Sequence, residues 1–223
     1  MLNDVKEFET IRVFFSKTGR AKYISHLDLN RTMIRAFRRA GLPIWYTEGF
    51  NRHPYVTFAA PLSLGYEGDR ETMDIRLKEE MNMEELVQRL DGVMPEGLHV
   101  FAAGKPVMKP GEVKSARYAI TASCAAMDFR GMLSQTEILV DKRTKKNGTK
   151  PVDLKPILSD SEAIVSEEGV GNTHIELVLP CNSTLSINPS LVMAALCRFT
   201  GREEIPYTVR RRDVYGANGE SFR

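Results

Sequence analysis

Two histidines, His26 and His53, are the residues of this sequence that are best suited to acid–base chemistry. His26 lies two residues before Asp28, at the start of an arginine-rich segment, and His53 lies in the turn at residues 51–54. An imidazole near arginines is able to act as a general base or acid in RNA strand cleavage without a metal. Polar residues at a helix start or in a tight turn more often have structural roles. We therefore expect no catalysis from His26, Asp28 or His53.

No cofactor or metal motif stands out in the sequence. It contains no P-loop, no dinucleotide fingerprint, no HExxH zinc motif and no CxxxCxxC cluster motif. The three cysteines, Cys124, Cys181 and Cys197, form no CxxC pair, which is typical of free thiols in a reducing compartment. Residues 1–15 lack the pattern of a secretion signal, and no apolar run is as long as a membrane span. We expect a cytoplasmic protein with no cofactor, no metal and no membrane contact.

Basic residues form three local clusters, although the formal net charge is only +2. Binding to a polyanion would therefore depend on these clusters and not on the overall charge. The predicted nucleic-acid-binding residues are Arg31, Arg35, Arg38 and Arg39, then Lys142, Arg143, Lys145, Lys146 and Lys150, and finally Arg210 and Arg212.

The first cluster lies on a predicted helix. Ser25 is the predicted N-cap, and Gly41 followed by Pro43 ends the helix. At 100° per residue the four arginines share one arc, beside an apolar arc. The apolar arc consists of Leu27, Ile34 and Phe37. Because a guanidinium group fits a phosphate as a planar fork, such a stripe is able to follow a nucleic-acid backbone. The alternative is an ordinary solvated helix face.

The second cluster is the densest, with five basic residues and no acidic one in residues 142–150. The Asn-Gly pair at 147–148 predicts a turn, so the cluster is expected at the tip of a projecting hairpin. The alternative is a solubilising loop.

In the third cluster, strand alternation sends Arg210 and Arg212 to one face and Arg211 to the other. Arg211 is expected to pair with acidic residues.

The predicted elements follow the order βαββαβ twice, on either side of a linker rich in Gly, Pro and Lys. The first half has strands or extended segments at 11–16, 45–50, 55–59, 71–78 and 98–102, and helices that begin after Ser25 and Asn82. The second half has strands at 117–122, 137–142, 173–179 and 207–212, and helices at 128–135 and after Asn188. The buried residues of that last helix are predicted to be Leu191, Val192, Ala195, Leu196 and Phe199.

This order predicts an α+β protein with two tandem ferredoxin-like halves and antiparallel sheets. The N-terminal half spans residues 1–104, and the linker spans 105–114. The C-terminal half spans 115–223 and carries the long basic hairpin.

Seven short motifs together resemble the radical-SAM-linked protein family of bacteria. They are SHLDL at 25–29, RRAGLP at 38–43, GFNRHP at 49–54, FAAPLSLG at 58–65, KRTKK at 142–146, VDL at 152–154 and LSINP at 185–189. The resemblance extends over about residues 10 to 215. It implies a domain fused to, or encoded beside, a radical S-adenosylmethionine (SAM) protein, often near a ribonuclease of the E/G type. Because the chain has no cluster-binding cysteine motif, it would be the partner of the radical enzyme.

Three functions are compatible with these observations. We expect a non-catalytic RNA-binding or adaptor module that works with a radical SAM enzyme on structured RNA, in RNA modification or processing. The first alternative is a metal-independent endoribonuclease that uses His26 or His53. The second is a pure protein-docking module.

Overall fold

A computed structural model describes residues 8–143, 148–161, 163–169, 171–182 and 184–223. The chain forms a mixed α+β structure with mostly antiparallel sheets and, in the described residues, five α-helices. It divides into two compact units. Unit 1 comprises Met1–Val113 and Ser221–Arg223, and unit 2 comprises Lys114–Glu220.

In the part of unit 1 that the structure describes there are four strands and two α-helices. They are β1 (Glu9–Lys17), α1 (His26–Arg39), β2 (Val56–Phe58), β3 (Glu67–Leu77), α2 (Met83–Asp91) and β4 (Leu98–Gly104). A 3-10 helix, Gly19–Tyr23, precedes α1. The strands form an antiparallel sheet in the order β4-β1-β3-β2. The extended segment predicted at 45–50 forms an isolated bridge at Tyr46, and Ile44, just before it, forms another.

Helix α1 begins and ends where the sequence predicts. The Ser25 hydroxyl accepts a hydrogen bond from the Asp28 backbone N–H at 3.1 Å, and Gly41 has a φ of +63° just after the helix. The predicted apolar arc is wrong at Leu27, which is 66% exposed. Leu27 and Leu29 lie about 200° apart around the helix, so only one of them is able to face the sheet. The buried residues are Leu29, Met33, Ala36 and Phe37.

The core of unit 1 lies between the helices and one face of the sheet. Alternation along β1 sends Ile11, Val13 and Phe15 to that face, and all three are almost completely buried. Met33 and Phe37 of α1 belong to the same cluster. The other face of β1 therefore carries the intervening, even-numbered residues.

The last three residues belong to unit 1, whereas the predicted boundaries place them in the second half. The backbone N–H groups of Val107 and Met108 donate to the Arg223 carbonyl oxygen at 3.0 and 2.8 Å. The Phe222 side chain is completely buried, and its ring centroid lies 4.0 Å from Cζ of Arg12. These long-range contacts have no signature in the local sequence pattern.

Among its described residues, unit 2 has six strands and three α-helices. They are β5 (Ser115–Ala122), α3 (Ala126–Leu133), β6 (Leu139–Arg143), β7 (Thr149–Asp153), α4 (Lys155–Asp160), β8 (Ile164–Glu167), β9 (Thr173–Pro180), α5 (Pro189–Thr200) and β10 (Tyr207–Tyr215). Four strands form an antiparallel sheet in the order β10-β5-β9-β8, and β6 and β7 form a separate hairpin. The sequence pattern did not predict α4 and β8, which are only six and four residues long.

Helix α5 has the predicted ends. The Asn188 side chain accepts a hydrogen bond from the Ser190 N–H at 2.9 Å, and Pro189 occupies the first helical position. Gly201 closes the helix in the left-handed conformation, with a φ of +68°.

The buried face of α5 differs from the prediction at two residues. The helix buries Pro189, Val192, Met193, Ala195 and Leu196. Leu191 is only half-buried, and Phe199 is 39% exposed. The Phe199 ring lies over Gly131 of α3, where a Cβ atom would come within 2.9 Å of the ring. Phe199 therefore covers a glycine at the edge of the helix pair and does not enter the core.

Candidate nucleic-acid interface

Lys142 and Lys150 face each other directly across the β6–β7 hairpin. Because residues in such a pair have Cβ atoms about 5 Å apart, two like charges there repel each other. Lys142 is half-buried, whereas Arg143 and Lys150 are exposed, and none of the three forms a salt bridge within the described residues. Lys145 and Lys146, which were predicted to belong to the same basic cluster, lie outside the described residues.

The base of this hairpin is fixed to the body of unit 2. Val140 is almost completely buried, and the Leu154 N–H donates to the Ile138 carbonyl oxygen at 2.8 Å. The Ile138 N–H donates to Oδ1 of Asp153 at 2.9 Å. The basic residues therefore stand on a hairpin with an anchored base. Only Gly148 of the predicted turn lies within the described residues.

Arg198 of α5 joins this basic surface, although no sequence pattern pointed to it. Its guanidinium group donates to the Leu139 carbonyl oxygen at 2.9 Å and lies 3.5 Å from Oδ2 of Asp141. Arg198 thus neutralises an acidic residue of the hairpin next to Lys142. No local signal could have revealed Arg198, because the fold brings it to β6 from 57 residues away in the chain.

The four arginines of α1 are all exposed, but only two of them form hydrogen bonds or salt bridges with other described residues. Arg31 donates to the Asp28 carboxylate at 3.2 Å, and Arg39 donates to a backbone carbonyl after α2 at 2.9 Å. Arg35 and Arg38 form no hydrogen bond or salt bridge with other described residues. Arg35 and Arg38 are therefore the members of this stripe that are best placed for a phosphate.

Arg210 and Arg212 are weaker candidates for a nucleic-acid contact. Both are half-buried on β10, and both already interact with other groups. Arg211 is only 2% exposed, and it also has interaction partners. The pairing of β10 with β5 shifts its register between Arg211 and Asp213, so regular alternation ends at Arg212.

Asp28 acts as a structural carboxylate at the start of α1. The Ser25 hydroxyl donates to its Oδ2 at 2.7 Å, and Arg31 contacts its Oδ1. The hydrogen bond from Ser25 and then that from Arg31 lower the pKa of Asp28 below its ordinary value. Asp28 is therefore ionised at neutral pH and holds no proton to donate.

The two candidate histidines make local contacts within unit 1. His26 is exposed, and its ring packs edge-on against Phe58, with the ring centroids 4.9 Å apart. Nδ1 of His53 lies 3.0 Å from the Asn51 carbonyl oxygen and 3.1 Å from Oγ1 of Thr47. Among the residues that the structure describes, no group of three or more His, Cys, Asp or Glu side chains is arranged to hold a metal ion.

The fold and the surface define a two-unit α+β protein of which unit 2 presents an anchored basic hairpin. The chain belongs to the bacterial family described as "Uncharacterized protein conserved in bacteria (DUF2344)", which it matches over residues 10–189. Nothing in the comparisons connects this family with radical SAM proteins. No helix within the described residues is long and apolar enough to cross a membrane.

Two further comparisons contribute little. No curated protein matches the chain significantly. One similar solved structure is described as "Crystal Structure of an Unknown Protein from Galdieria sulphuraria". The sequence identity is 10%, the match covers 92% of this chain and 99% of the other, and the TM-score is 0.26. A score this low supports no conclusion about fold or function.

Proposed function

We propose that this protein is a non-catalytic RNA-binding or adaptor module, which works with a radical SAM enzyme in the cytoplasm in RNA modification or processing. The observation that carries the RNA contact is the direct opposition of Lys142 and Lys150 on an exposed hairpin. Two like charges in that position destabilise the hairpin, whereas a phosphate close to both converts the repulsion into attraction. Arg143 extends the same positive surface.

The radical enzyme is proposed as a partner of this chain because the chain itself offers no cluster ligands. Its three cysteines are free, and their spacing fits no CxxxCxxC motif. Burial raises the pKa of the Cys124 thiol, so this sulfur is protonated and unreactive at neutral pH. The support for the partner is the set of family-like motifs in the sequence.

We also infer that each unit is a ferredoxin-like fold. The supporting observation is the shared order of strands. In unit 1 the sheet order β4-β1-β3-β2 places the strands as fourth, first, third and second along the chain. Unit 2 has the same order when β6, β7 and α4 are treated as an insertion between α3 and β8. On this view, the basic hairpin is the main addition to a common unit.

The endoribonuclease alternative is less well supported. A general acid–base histidine needs a second catalytic group within reach. Nδ1 of His53 already contacts a carbonyl oxygen and a hydroxyl group, and His26 has no hydrogen-bond partner among the described residues. If purified, metal-free protein cleaved RNA and the His26→Ala variant lost roughly a hundredfold in rate, this alternative would replace the non-catalytic proposal.

The test is a gel shift with total cellular RNA at two salt concentrations. The variant Lys142→Ser/Arg143→Ser/Lys150→Ser is compared with the control Arg89→Ser/Lys105→Ser/Lys109→Ser, which removes the same charge from exposed positions of unit 1. If each hairpin residue meets a phosphate, the salt slope falls by about 0.7 to 0.9 per residue, hence by roughly 2 to 3 in the hairpin variant. The control slope is expected to stay unchanged. Equal salt slopes in the two variants would contradict the proposal. So would a wild-type protein that binds no RNA, which is the result expected of a pure protein-docking module.

A further inference from the structure

A loop of unit 1 presents a phenylalanine completely to solvent. This Phe50 loop comprises residues 46–54, and Phe50 is 104% exposed, as in a fully extended peptide. The Thr47 N–H donates to the His53 carbonyl oxygen at 2.9 Å, and the His53 N–H donates to Oγ1 of Thr47 at 3.2 Å. Gly49 has a φ of +113°, which residues with side chains rarely adopt. The loop is therefore closed at its base and turns sharply just before Phe50.

A single exposed apolar side chain is ordinary on a protein surface and needs no explanation by itself. Phe50 differs because hydrogen bonds close the loop that carries it. When a ligand stacks on the ring, few further residues of the loop have to become ordered. Less binding free energy is therefore lost to conformational entropy. The chemistry around the loop then indicates which ligand would stack there.

Half-buried aromatic rings flank the loop in sequence, and cations lie over their faces. Cζ of Arg76 lies 4.2 Å from the Tyr55 ring centroid and 5.3 Å from that of Trp45. Nζ of Lys78 lies 5.7 Å from the Tyr46 ring centroid. The chain contains ten Phe, seven Tyr and one Trp in 223 residues, yet four of these aromatic residues fall within residues 45–55. Proteins that bind single-stranded nucleic acids typically combine aromatic rings, on which bases stack, with cations that contact phosphates.

We propose that the Phe50 loop is a contact site for single-stranded nucleic acid, in which Phe50 stacks on an unpaired base and the exposed Arg52 meets a neighbouring phosphate. This inference rests on the proposed RNA binding and narrows its substrate to unpaired segments. A duplex offers no free base face, because its bases are already stacked on one another. The 2′-hydroxyl group has no part in such stacking, so RNA and DNA single strands bind alike at this loop.

The test measures fluorescence anisotropy with four labelled ligands: a 12-mer oligo(U), a 12-mer oligo(dT), a 12-base-pair RNA duplex and heparin. Phe50→Ala is compared with Phe101→Ala, which removes another exposed phenylalanine of unit 1. Loss of one stacked base is expected to weaken the binding of Phe50→Ala to oligo(U) and oligo(dT) about 5- to 150-fold. Binding of this variant to the duplex and to heparin, and all binding of Phe101→Ala, is expected to be unchanged.

Unchanged affinity of Phe50→Ala for the single strands, or an equal loss on heparin, would overturn the inference. The hairpin variant Lys142→Ser/Arg143→Ser/Lys150→Ser, measured alongside, separates this inference from the proposed function. If the hairpin variant binds weakly and Phe50→Ala binds normally, only the loop assignment fails. If the hairpin variant keeps the wild-type salt slope while Phe50→Ala loses oligo(U), only the hairpin assignment fails. If the wild-type protein binds none of the four ligands, both the hairpin assignment and the loop assignment fail.

Discussion

In both units an arginine on the first strand faces an acidic residue on a neighbouring strand, but only one of the two pairs is buried. In unit 1, Nε and Nη2 of Arg12 donate to the two carboxylate oxygens of Asp74 at 2.7 and 2.8 Å. Their side chains are 0% and 6% exposed. In unit 2, Nη1 of Arg117 lies 4.0 Å from Oε2 of Glu176, and these side chains are 46% and 26% exposed. Each pair lies on the strand face opposite the buried aliphatic residues.

The difference comes from what covers each pair. The buried Phe222 ring lies 4.0 Å from Cζ of Arg12, whereas the half-buried Tyr215 ring lies 6.0 Å from Cζ of Arg117. Nη1 of Arg12 is buried without a hydrogen-bond partner among the described residues, so the ring is a further stabilising contact for this cation. Excluding water lowers the local dielectric constant and strengthens the ion pair, but it also makes breaking the pair costly. The same two kinds of residue therefore contribute very differently to stability.

Removing the acidic partner should show this difference most strongly. Asp74→Ala leaves the Arg12 charge buried and uncompensated, and we expect a loss of about 3 to 5 kcal/mol in the free energy of unfolding. Glu176→Ala in unit 2 should cost at most about 1 kcal/mol, because solvent screens Arg117. Urea unfolding measures both changes. Similar losses for the two variants would mean that burial does not control these pairs.

The second prediction concerns the aromatic rings that cover the two arginines. Phe222→Ala removes a completely buried ring, and such truncations cost about 3 kcal/mol or more. Tyr215→Ala removes a half-buried ring and should cost clearly less in the same urea unfolding experiment. Adding Phe222→Ala to Asp74→Ala should cost less than the sum of the single changes, because both residues stabilise Arg12. Strict additivity would show that Phe222 acts only through the apolar core.

The basic hairpin of unit 2 offers a smaller effect with two opposite consequences. Lys150→Glu converts the like-charge pair with Lys142 into an opposite-charge pair, which should raise stability by about 0.2 to 1 kcal/mol. The same change should weaken RNA binding, because it places a negative charge beside the expected phosphate. Urea unfolding and gel shift measure the two consequences separately. If stability rises and RNA binding does not fall, the lysine pair has no role in binding.

The features that the sequence predicted well are local. Ser25, Asn188 and Gly201 lie at helix ends as expected, because a cap needs only a side chain or a φ angle within a few residues of the helix. The incorrect predictions, at Leu27 and Phe199, concern which side of a helix meets the core. That choice depends on where the sheet and the neighbouring helix lie.

Long-range contacts could not be predicted from the sequence for a related reason. Phe222 covers Arg12 from the other end of the chain, and Arg198 reaches Asp141 from a later helix. Periodicity and capping rules describe neighbours within a few residues, so they carry no information about such pairs. The exposed Phe50 was also missed, because a pattern cannot distinguish an apolar residue of a turn that faces solvent from one that faces the core.

The smallest expected effect is a change in stability with pH, which is predicted for the first turn of α1 and not for that of α5. The pKa of Asp28 is lowered from 3.8 by hydrogen bonds from Ser25 and then Arg31, so folding favours the ionised form. A lowered folded-state pKa contributes stability that is present above the unfolded pKa and is lost as the pH falls through the folded value. Asp28→Asn should therefore be less stable than wild type at neutral pH, and the difference should begin to narrow near pH 3.8 and close as the pH falls through the lower folded-state pKa. Helix α5 has no acidic residue in its first turn, so the cost of Asn188→Ala should be the same at both ends of this range. Urea unfolding of the three proteins across the acidic range measures these differences. A gap between wild type and Asp28→Asn that persists at low pH would show that Asp28 stabilises the helix through its shape and not through its charge.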